Sequence, residues 1–173
     1  MDLDQLKALV RDVPDFPQEG VLFKDITPLL QSPVGLKTSI DQLAALVDPK
    51  SYELVCGIES RGFIFGTALA AQLGKGFVPI RKPGKLPWKT ASETYALEYG
   101  KDTIEIHLDA VRKGQKVLLV DDLLATGGTM EAAAKLVRRI GGVPVAAAFV
   151  IERTFLNGRN RLGSLPAHSL VKY

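Results

Sequence analysis

Disulfides within the chain are excluded at once, because it has a single cysteine. Cys56 lies in the apolar run Glu53-Leu54-Val55-Cys56-Gly57-Ile58 and reads as a buried, inert thiol. The two histidines, His107 and His168, lack metal-ligand spacing to another His or Cys, which argues against a zinc centre built from them. No apolar run approaches the roughly 20 residues needed to cross a bilayer. The charged start, Met1-Asp2-Leu3-Asp4-Gln5-Leu6-Lys7, reads as a helix rather than a signal peptide, so a cytoplasmic protein without membrane attachment is expected. Charge of one sign is also scarce: the formal net charge is +3, with no long basic run. That balance suits a small polyanionic substrate and does not argue for nucleic acid. Repeats and low-complexity segments are absent, as are the Gly-Lys-Ser/Thr phosphate loop and the Gly-x-Gly-x-x-Gly dinucleotide fingerprint.

What is present is a 173-residue chain, 46% hydrophobic and 24% charged, which suits one domain over 1–173 with a sizeable core. Short apolar strands alternate with helical patterns, the signature of an α/β fold with a central, mostly parallel sheet flanked by helices. Strands are expected near Leu54–Ile58, Phe77–Ile80, Val117–Val120, Val145–Ile151 and Ser169–Val171. Helices are expected near Asp4–Val10, Leu36–Val47, Phe63–Leu73 and Met130–Ile140. Thr103 to Leu108 alternates strictly, which predicts a half-exposed strand paired with Thr94–Tyr99 in an antiparallel ribbon standing off the main sheet.

The most informative stretch is Val117 to Thr129. An apolar strand meets two carboxylates, Asp121 and Asp122, then Leu123, Leu124 and the small loop Ala125-Thr126-Gly127-Gly128-Thr129, before the helix from Met130. Glycines let backbone N–H groups converge on an oxyanion, the threonines add hydroxyl donors, and the helix start adds its dipole. Two carboxylates beside a phosphate would repel it unless they hold hydroxyls or a cation between them and it. A ribose 5-phosphate satisfies both halves; the plainer alternative is a turn with a helix cap.

This segment resembles the phosphoribosyl pyrophosphate (PRPP) signature of the type I phosphoribosyltransferases, in the form found in members acting on adenine. Further motifs match in order: Phe16-Pro17 with Gly20 to Leu30, Gly57-Ile58-Glu59-Ser60-Arg61-Gly62-Phe63, Pro79-Ile80-Arg81-Lys82-Pro83-Gly84-Lys85-Leu86-Pro87, and Tyr95-Ala96-Leu97-Glu98-Tyr99-Gly100. The resemblance implies the family fold, with a small hood at about 14–32 and a flexible antiparallel lid at about 81–100. It also implies a homodimer, Mg²⁺ carried by PRPP rather than by a protein cage, and transfer of the 5-phosphoribosyl group from PRPP to adenine, giving AMP and pyrophosphate in purine salvage.

The roles it implies are specific. Ala125 to Thr129 would hold the 5-phosphate and Asp121 and Asp122 the ribose hydroxyls. Glu59, Ser60 and Arg61 would serve pyrophosphate, with a non-proline cis peptide in that loop. Arg81, Lys82 and Lys85 add cations from a segment whose density of charge and lack of apolar periodicity suit a lid, with Tyr95 and Tyr99 at its far end; Arg81 could equally reach a neighbouring subunit. Phe23 and Leu123 would sandwich the purine while the Leu22 backbone reads its edge, and Glu98 would handle a proton of the ring. On residue types alone, Leu22 and Phe23 could be core packing, Glu59–Gly62 an ordinary helix start, the Arg81–Tyr95 segment a solvated loop, and Glu98 a solvent-facing strand residue. Two other functions stay open: a transferase for a 6-oxo purine, and a regulator that binds PRPP without reacting. Lys24 stands where the family more often has Arg, and Trp88 and the segment Gly158-Arg159-Asn160-Arg161-Leu162 have no assigned purpose.

Overall fold

A computed structural model describes residues 1–96 and 100–173. The chain runs α1 (Leu3–Ala8), β1 (Arg11–Val13), β2 (Phe23–Asp25), α2 (Thr27–Gln31), α3 (Pro33–Leu46), β3 (Leu54–Ile58), α4 (Gly62–Gln72), β4 (Gly76–Ile80), β5 (Thr90–Ala96), β6 (Lys101–His107), β7 (Lys116–Leu124), α5 (Gly128–Arg139), β8 (Val143–Glu152) and β9 (Ala167–Lys172). All five expected core strands form one parallel sheet, in the order β4-β3-β7-β8-β9.

Alternation along these strands explains the layers. Leu54, Cys56 and Ile58, with Val117 and Leu119, face the cluster built on α5. Val55, Leu118 and Val120 face the opposite cluster, with Leu6, Leu43, Phe65 and Leu69 from α1, α3 and α4. A strand buried on both faces must be apolar throughout, and β3 is buried at every position. Cys56 is fully buried, and burial pushes its thiol pKa up, as an inert core thiol requires.

Helix α5 follows the expected pattern: Ala133, Leu136 and Val137 are buried, Glu131 and Lys135 pair at 2.7 Å, and Gly141 takes a positive φ of 95° just past its end. Helix α1 is shorter than expected, a capping box between Asp2 and Gln5 starting it before Asp4; Leu6 and Val10 are buried but Leu3 is exposed.

Three differences concern the region around the crevice. Strand β7 continues to Leu124, so Asp121 and Asp122 belong to the strand rather than to the loop after it, and Gly128 and Thr129 are already in α5. An antiparallel hairpin of β1 and β2 and the five-residue helix α2 occupy the N-terminal region, where no element was expected. The ribbon of β5 and β6 forms its own two-stranded sheet as expected, yet it packs down on α5: Ile104 and Ile106 are fully buried, and Arg139 donates to the Ser92 carbonyl at 2.5 Å. The segment from Arg81 is therefore partly a packed element, with β5 beginning at Thr90.

Candidate functional site

The chain passes from β3 through α4 to β4 on one side, while β7 lies on the other side of β3, so the sheet order reverses between β3 and β7. Open parallel sheets bind ligands outside the carboxyl ends of the strands at such a switch point. The loop after β3 (Glu59 to Arg61), the segment after β4 (from Arg81) and the loop after β7 (Ala125 to Gly127) all open there.

A crevice of about 480 Å³ occupies this position, lined by Glu59, Ser60, Arg61, Lys82, Tyr95, Asp102, Asp121, Asp122, Leu123, Ala125 and Thr129. A smaller cavity of about 120 Å³ adjoins it, sharing Asp121, Leu123, Ala125 and Thr129 and adding Thr126, Gly127 and Phe149. Residues from three separate chain segments thus converge on one place. Asp102, which lines the crevice as the ion-pair partner of Lys82, was missed in the sequence; nothing in a strand of alternating residues marks it.

The cradle is shaped by glycine. Gly127 adopts φ +84°, a conformation that L side chains rarely take, and α5 begins at Gly128. Gly62 lets the first turn of α4 come against β7: a Cβ there would stand 2.8 Å from Asp121 Oδ1 and 2.9 Å from the Val120 carbonyl. The loop before α4 contains the cis peptide Glu59–Ser60, as the resemblance implied.

The electrostatics of the two aspartates are unequal. Asp122 is 5% exposed, and its Oδ2 stands 2.7 Å from Arg61 Nε without hydrogen-bond alignment, so that oxygen has charge compensation but no hydrogen-bond partner. Asp121 accepts the Asp122 N–H at 2.9 Å. Burial and then the neighbouring Asp122 carboxylate push the Asp121 pKa well above the usual carboxylate range. Burial also raises Asp122, opposed by Arg61. Two carboxylates waiting in a crevice beside donors suit hydroxyl groups brought by a ligand.

Arg81 lines neither cavity and is tied to one wall of the crevice, donating to both Glu59 carboxylate oxygens at 3.1 and 3.0 Å and to the Lys85 carbonyl at 3.1 Å. Glu59 also accepts the Lys82 N–H at 3.0 Å. The Arg81 hydrogen bonds, ahead of the opposing effect of burial, hold the Glu59 pKa below its ordinary value. Lys82 pairs with Asp102, and Tyr95 Oη accepts from Thr129 Oγ1 at 3.2 Å, joining the ribbon to the first turn of α5. Lys85 is exposed and lines neither cavity.

The expected base sandwich is the part that the geometry does not bring together. Leu123 lines the crevice, but Phe23 lines a separate apolar cavity of about 280 Å³ with Val13, Phe16 and Asp25. The Arg61 guanidinium lies 5.0 Å from the Phe23 ring centroid, so a cation stands on that ring and links it to the crevice. Leu22, just before β2, is 39% exposed. Glu98 and Tyr99 lie outside the described residues. Lys24 is nearly buried, paired with Asp12, and its ammonium stands 3.8 Å from the Tyr173 ring centroid, a packing role that needs no planar fork.

Comparison with known proteins agrees with this architecture. Residues 36–159 match the phosphoribosyl transferase domain. An adenine phosphoribosyltransferase of Thermotoga sp. (strain RQ2) is 54% identical over 168 residues, covering 97% of this chain and 99% of the relative. The crystal structure of adenine phosphoribosyltransferase from Thermoanaerobacter pseudethanolicus superposes with a TM-score of 0.96 at 50% identity, covering 99% of both chains. The Saccharomyces cerevisiae enzyme, solved with an imino-altritol bisphosphate and adenine, gives a TM-score of 0.89 at 39% identity over 98% of both chains. With the domain matched over most of its length, more than half of its residues identical to a full-length relative and the fold superposing nearly end to end, the chain belongs to the adenine phosphoribosyltransferases.

Proposed function

We propose that this crevice transfers the 5-phosphoribosyl group of PRPP to adenine, giving AMP and pyrophosphate. The single observation that carries the reading is the convergence of the small-residue cradle, the two aspartates and the Glu59–Arg61 loop on one cavity of about 480 Å³. The bond from the anomeric carbon of ribose to pyrophosphate oxygen breaks, the bond to purine nitrogen forms, and the purine loses a proton.

Each half of PRPP has a matching set of groups. The 5-phosphate fits the backbone N–H groups and hydroxyls of Ala125 to Thr129 at the start of α5. The ribose hydroxyls fit Asp121 and Asp122, whose raised pKa values fall when hydroxyl donors arrive. Pyrophosphate fits Ser60, Arg61, Lys82 and, once Glu59 releases it, Arg81. Lys85 on its exposed turn meets pyrophosphate only after that segment moves inward.

Among the described residues no group of three or more His, Cys, Asp or Glu side chains is placed to hold a metal ion. The chemistry of the donor set fits Mg²⁺ held mainly by PRPP oxygens and water, with Asp121 and Asp122 as the adjacent hard donors. When bound, the ion would neutralise charge on the leaving pyrophosphate. The chain itself binds, orients and excludes water. Displacement passes through an electron-poor sugar carbon that water could capture, so we assign the 81–100 segment as a lid that covers the crevice before that carbon develops.

For the base, Leu123 offers an apolar wall and Leu22 a backbone edge near the exposed start of β2. A base stacked on the face of Phe23 that the Arg61 guanidinium covers would have to displace it. A 6-oxo purine would present the inverse donor pattern to a backbone edge and leave polar groups unpaired, which favours adenine. The Saccharomyces cerevisiae relative, solved with adenine, supports that choice. A cytoplasmic location and a homodimer fit the same reading; among the described residues no helix is long and apolar enough to cross a membrane.

Pyrophosphate release measured with adenine, hypoxanthine, guanine and xanthine tests the activity: turnover with adenine is expected, and turnover with 6-oxo bases alone would overturn the base assignment. PRPP binding without product from any base would identify a regulator instead. For Glu98, replacement by Gln should lower kcat well below wild type with PRPP affinity within about twofold, in keeping with the 10²–10⁴-fold range of general acid–base catalysis. Unchanged turnover would remove Glu98 from the chemistry.

A further inference from the structure

The segment Gly158–Leu162, a short 3-10 helix after β8, touches the cradle from behind. Gly158 is buried. A Cβ built on Gly158 would come closer to the Ala125 carbonyl oxygen than the 3.0 Å that real Cβ atoms essentially never breach, and would stand 3.1 Å from the Gly127 nitrogen. The reverse also holds: a Cβ on Gly127 would run into the Gly158 carbonyl. Two backbones therefore lie directly on each other, with no side chain between them to yield.

The segment is fixed independently of the cradle. Arg159 forms a two-pronged pair with Glu152, Nε to Oε1 at 2.5 Å and Nη2 to Oε2 at 2.6 Å, and donates to the Ala167 carbonyl at 2.5 Å. Glu152 is 4% exposed at the end of β8, and Leu162 is 7% exposed in the α5-side core. Asn157, with φ 52° and ψ 33°, makes the left-handed turn that delivers Gly158 to the cradle. Arg161 lies over the outer side, its Nη1 2.8 Å from where a Gly128 Cβ would be.

We propose that Gly158 is a positioning residue for the 5-phosphate cradle: the anchored 158–162 turn is a rigid backstop that holds the Ala125–Gly127 backbone in its anion-receiving shape. The inference rests on the reading of Ala125 to Thr129 as the 5-phosphate site. A flexible loop of small residues has many conformations, and only a few aim successive N–H groups at one oxyanion. A backbone contact on its rear removes the others before the ligand arrives, which is preorganisation supplied by a segment that never touches the substrate.

Gly158→Ala tests this. The expected result is a rise of about tenfold or more in the KM for PRPP and in the Kd for ribose 5-phosphate measured by calorimetry, with the KM for adenine within about threefold, since a misplacement near 1 Å can cost about 10²-fold. A purely structural role would lower the melting temperature and leave the ratio of the two KM values unchanged, and that outcome overturns the proposal. If Gly158→Ala does not fold, exposed Asn157 carries the test: Asn157→Val should weaken ribose 5-phosphate binding and Asn157→Gly should not, because Gly tolerates the left-handed turn. Equal affinity in both Asn157 variants also overturns it. Thr129→Ala is the control on the cradle reading. Weaker ribose 5-phosphate binding in Thr129→Ala but not in folded Gly158→Ala defeats the backstop alone, whereas unaltered binding in both defeats the cradle.

Discussion

The two walls of the crevice are made differently. On the β7 side, Asp121 and Asp122 sit in a strand at the centre of the sheet, the cradle runs straight into α5, and backbone packs on backbone behind it. On the β4 side, the segment from Arg81 is rooted by a backbone bridge from Arg81 to Glu105 and by ribbon strand β6, whose Ile104 and Ile106 are buried. Its charged side chains, however, are held by partly exposed ion pairs, Arg81 to Glu59, Lys82 to Asp102 and Arg139 to Glu93. Core backbone cannot shift without disturbing its neighbours, while partly exposed ion pairs exchange readily with water. A wall of the first kind suits the part of the substrate that stays put, and a wall of the second kind suits the part that must be covered and then released.

The largest effect should come from the rigid wall. Asp121→Asn removes a proposed ribose contact, and activity should fall about 10²–10³-fold, the scale of losing a preorganised polar contact. The same change should raise the melting temperature at pH 7. A carboxyl whose folded pKa is raised favours the fold below its unfolded value of about 3.8 and costs stability as pH climbs through the folded value. Asn removes that cost, so the gain should vanish below about pH 4. Asp122→Asn should show no such gain, because it strips Arg61 of its 2.7 Å partner. Scanning calorimetry across pH distinguishes the two, and equal melting shifts for both variants would dissolve the asymmetry between the aspartates.

A smaller effect is expected where the two walls meet. Glu59→Gln weakens charge-assisted bonds to Arg81 worth about 1.5–3 kcal/mol; because that tie stores Arg81 beside the Glu59–Arg61 loop until pyrophosphate takes it over, its loss leaves Arg81 unpositioned and kcat/KM should fall roughly tenfold at pH 7. Because the Glu59 pKa is lowered in the fold, its tie is fully present above the ordinary value of 4.5 and is lost as pH falls through the depressed one. Wild type should therefore converge on the variant in acid, and parallel pH profiles for the two would rule out a role for the Arg81–Glu59 tie. The smallest effect belongs to the ribbon: Glu93→Gln should change stability by less than about 1 kcal/mol and turnover by less than about fivefold, both vanishing at high salt. A large, salt-independent loss would mean that this wall is not loosely held.

Legibility in the sequence followed the same division. The sheet was readable because doubly buried strands such as Leu54–Ile58 must be apolar throughout, and α5 because Ala133, Leu136 and Val137 repeat at helical spacing. The gathering of small residues, hydroxyls and carboxylates at the crevice was readable because they adjoin in one local run. The continuation of β7 through Asp121 and Asp122 was not, since carboxylates normally end a buried strand. Neither were β1 and β2, three residues each, too short for any period to register. Contacts made by distant segments were least visible: nothing near Gly158 points to Ala125, and nothing near Phe23 says that Arg61 will stand on its ring.

Trp88, the only tryptophan, lies within the 81–100 segment and is 64% exposed. Indole emission moves to shorter wavelength as water is withdrawn, and no second indole contributes to the signal. The chain thus has its own optical gauge of that segment: titrating wild-type protein with AMP and pyrophosphate while following emission tests the proposed covering without any label. An emission maximum that stays fixed at saturation would place Trp88 outside whatever part closes.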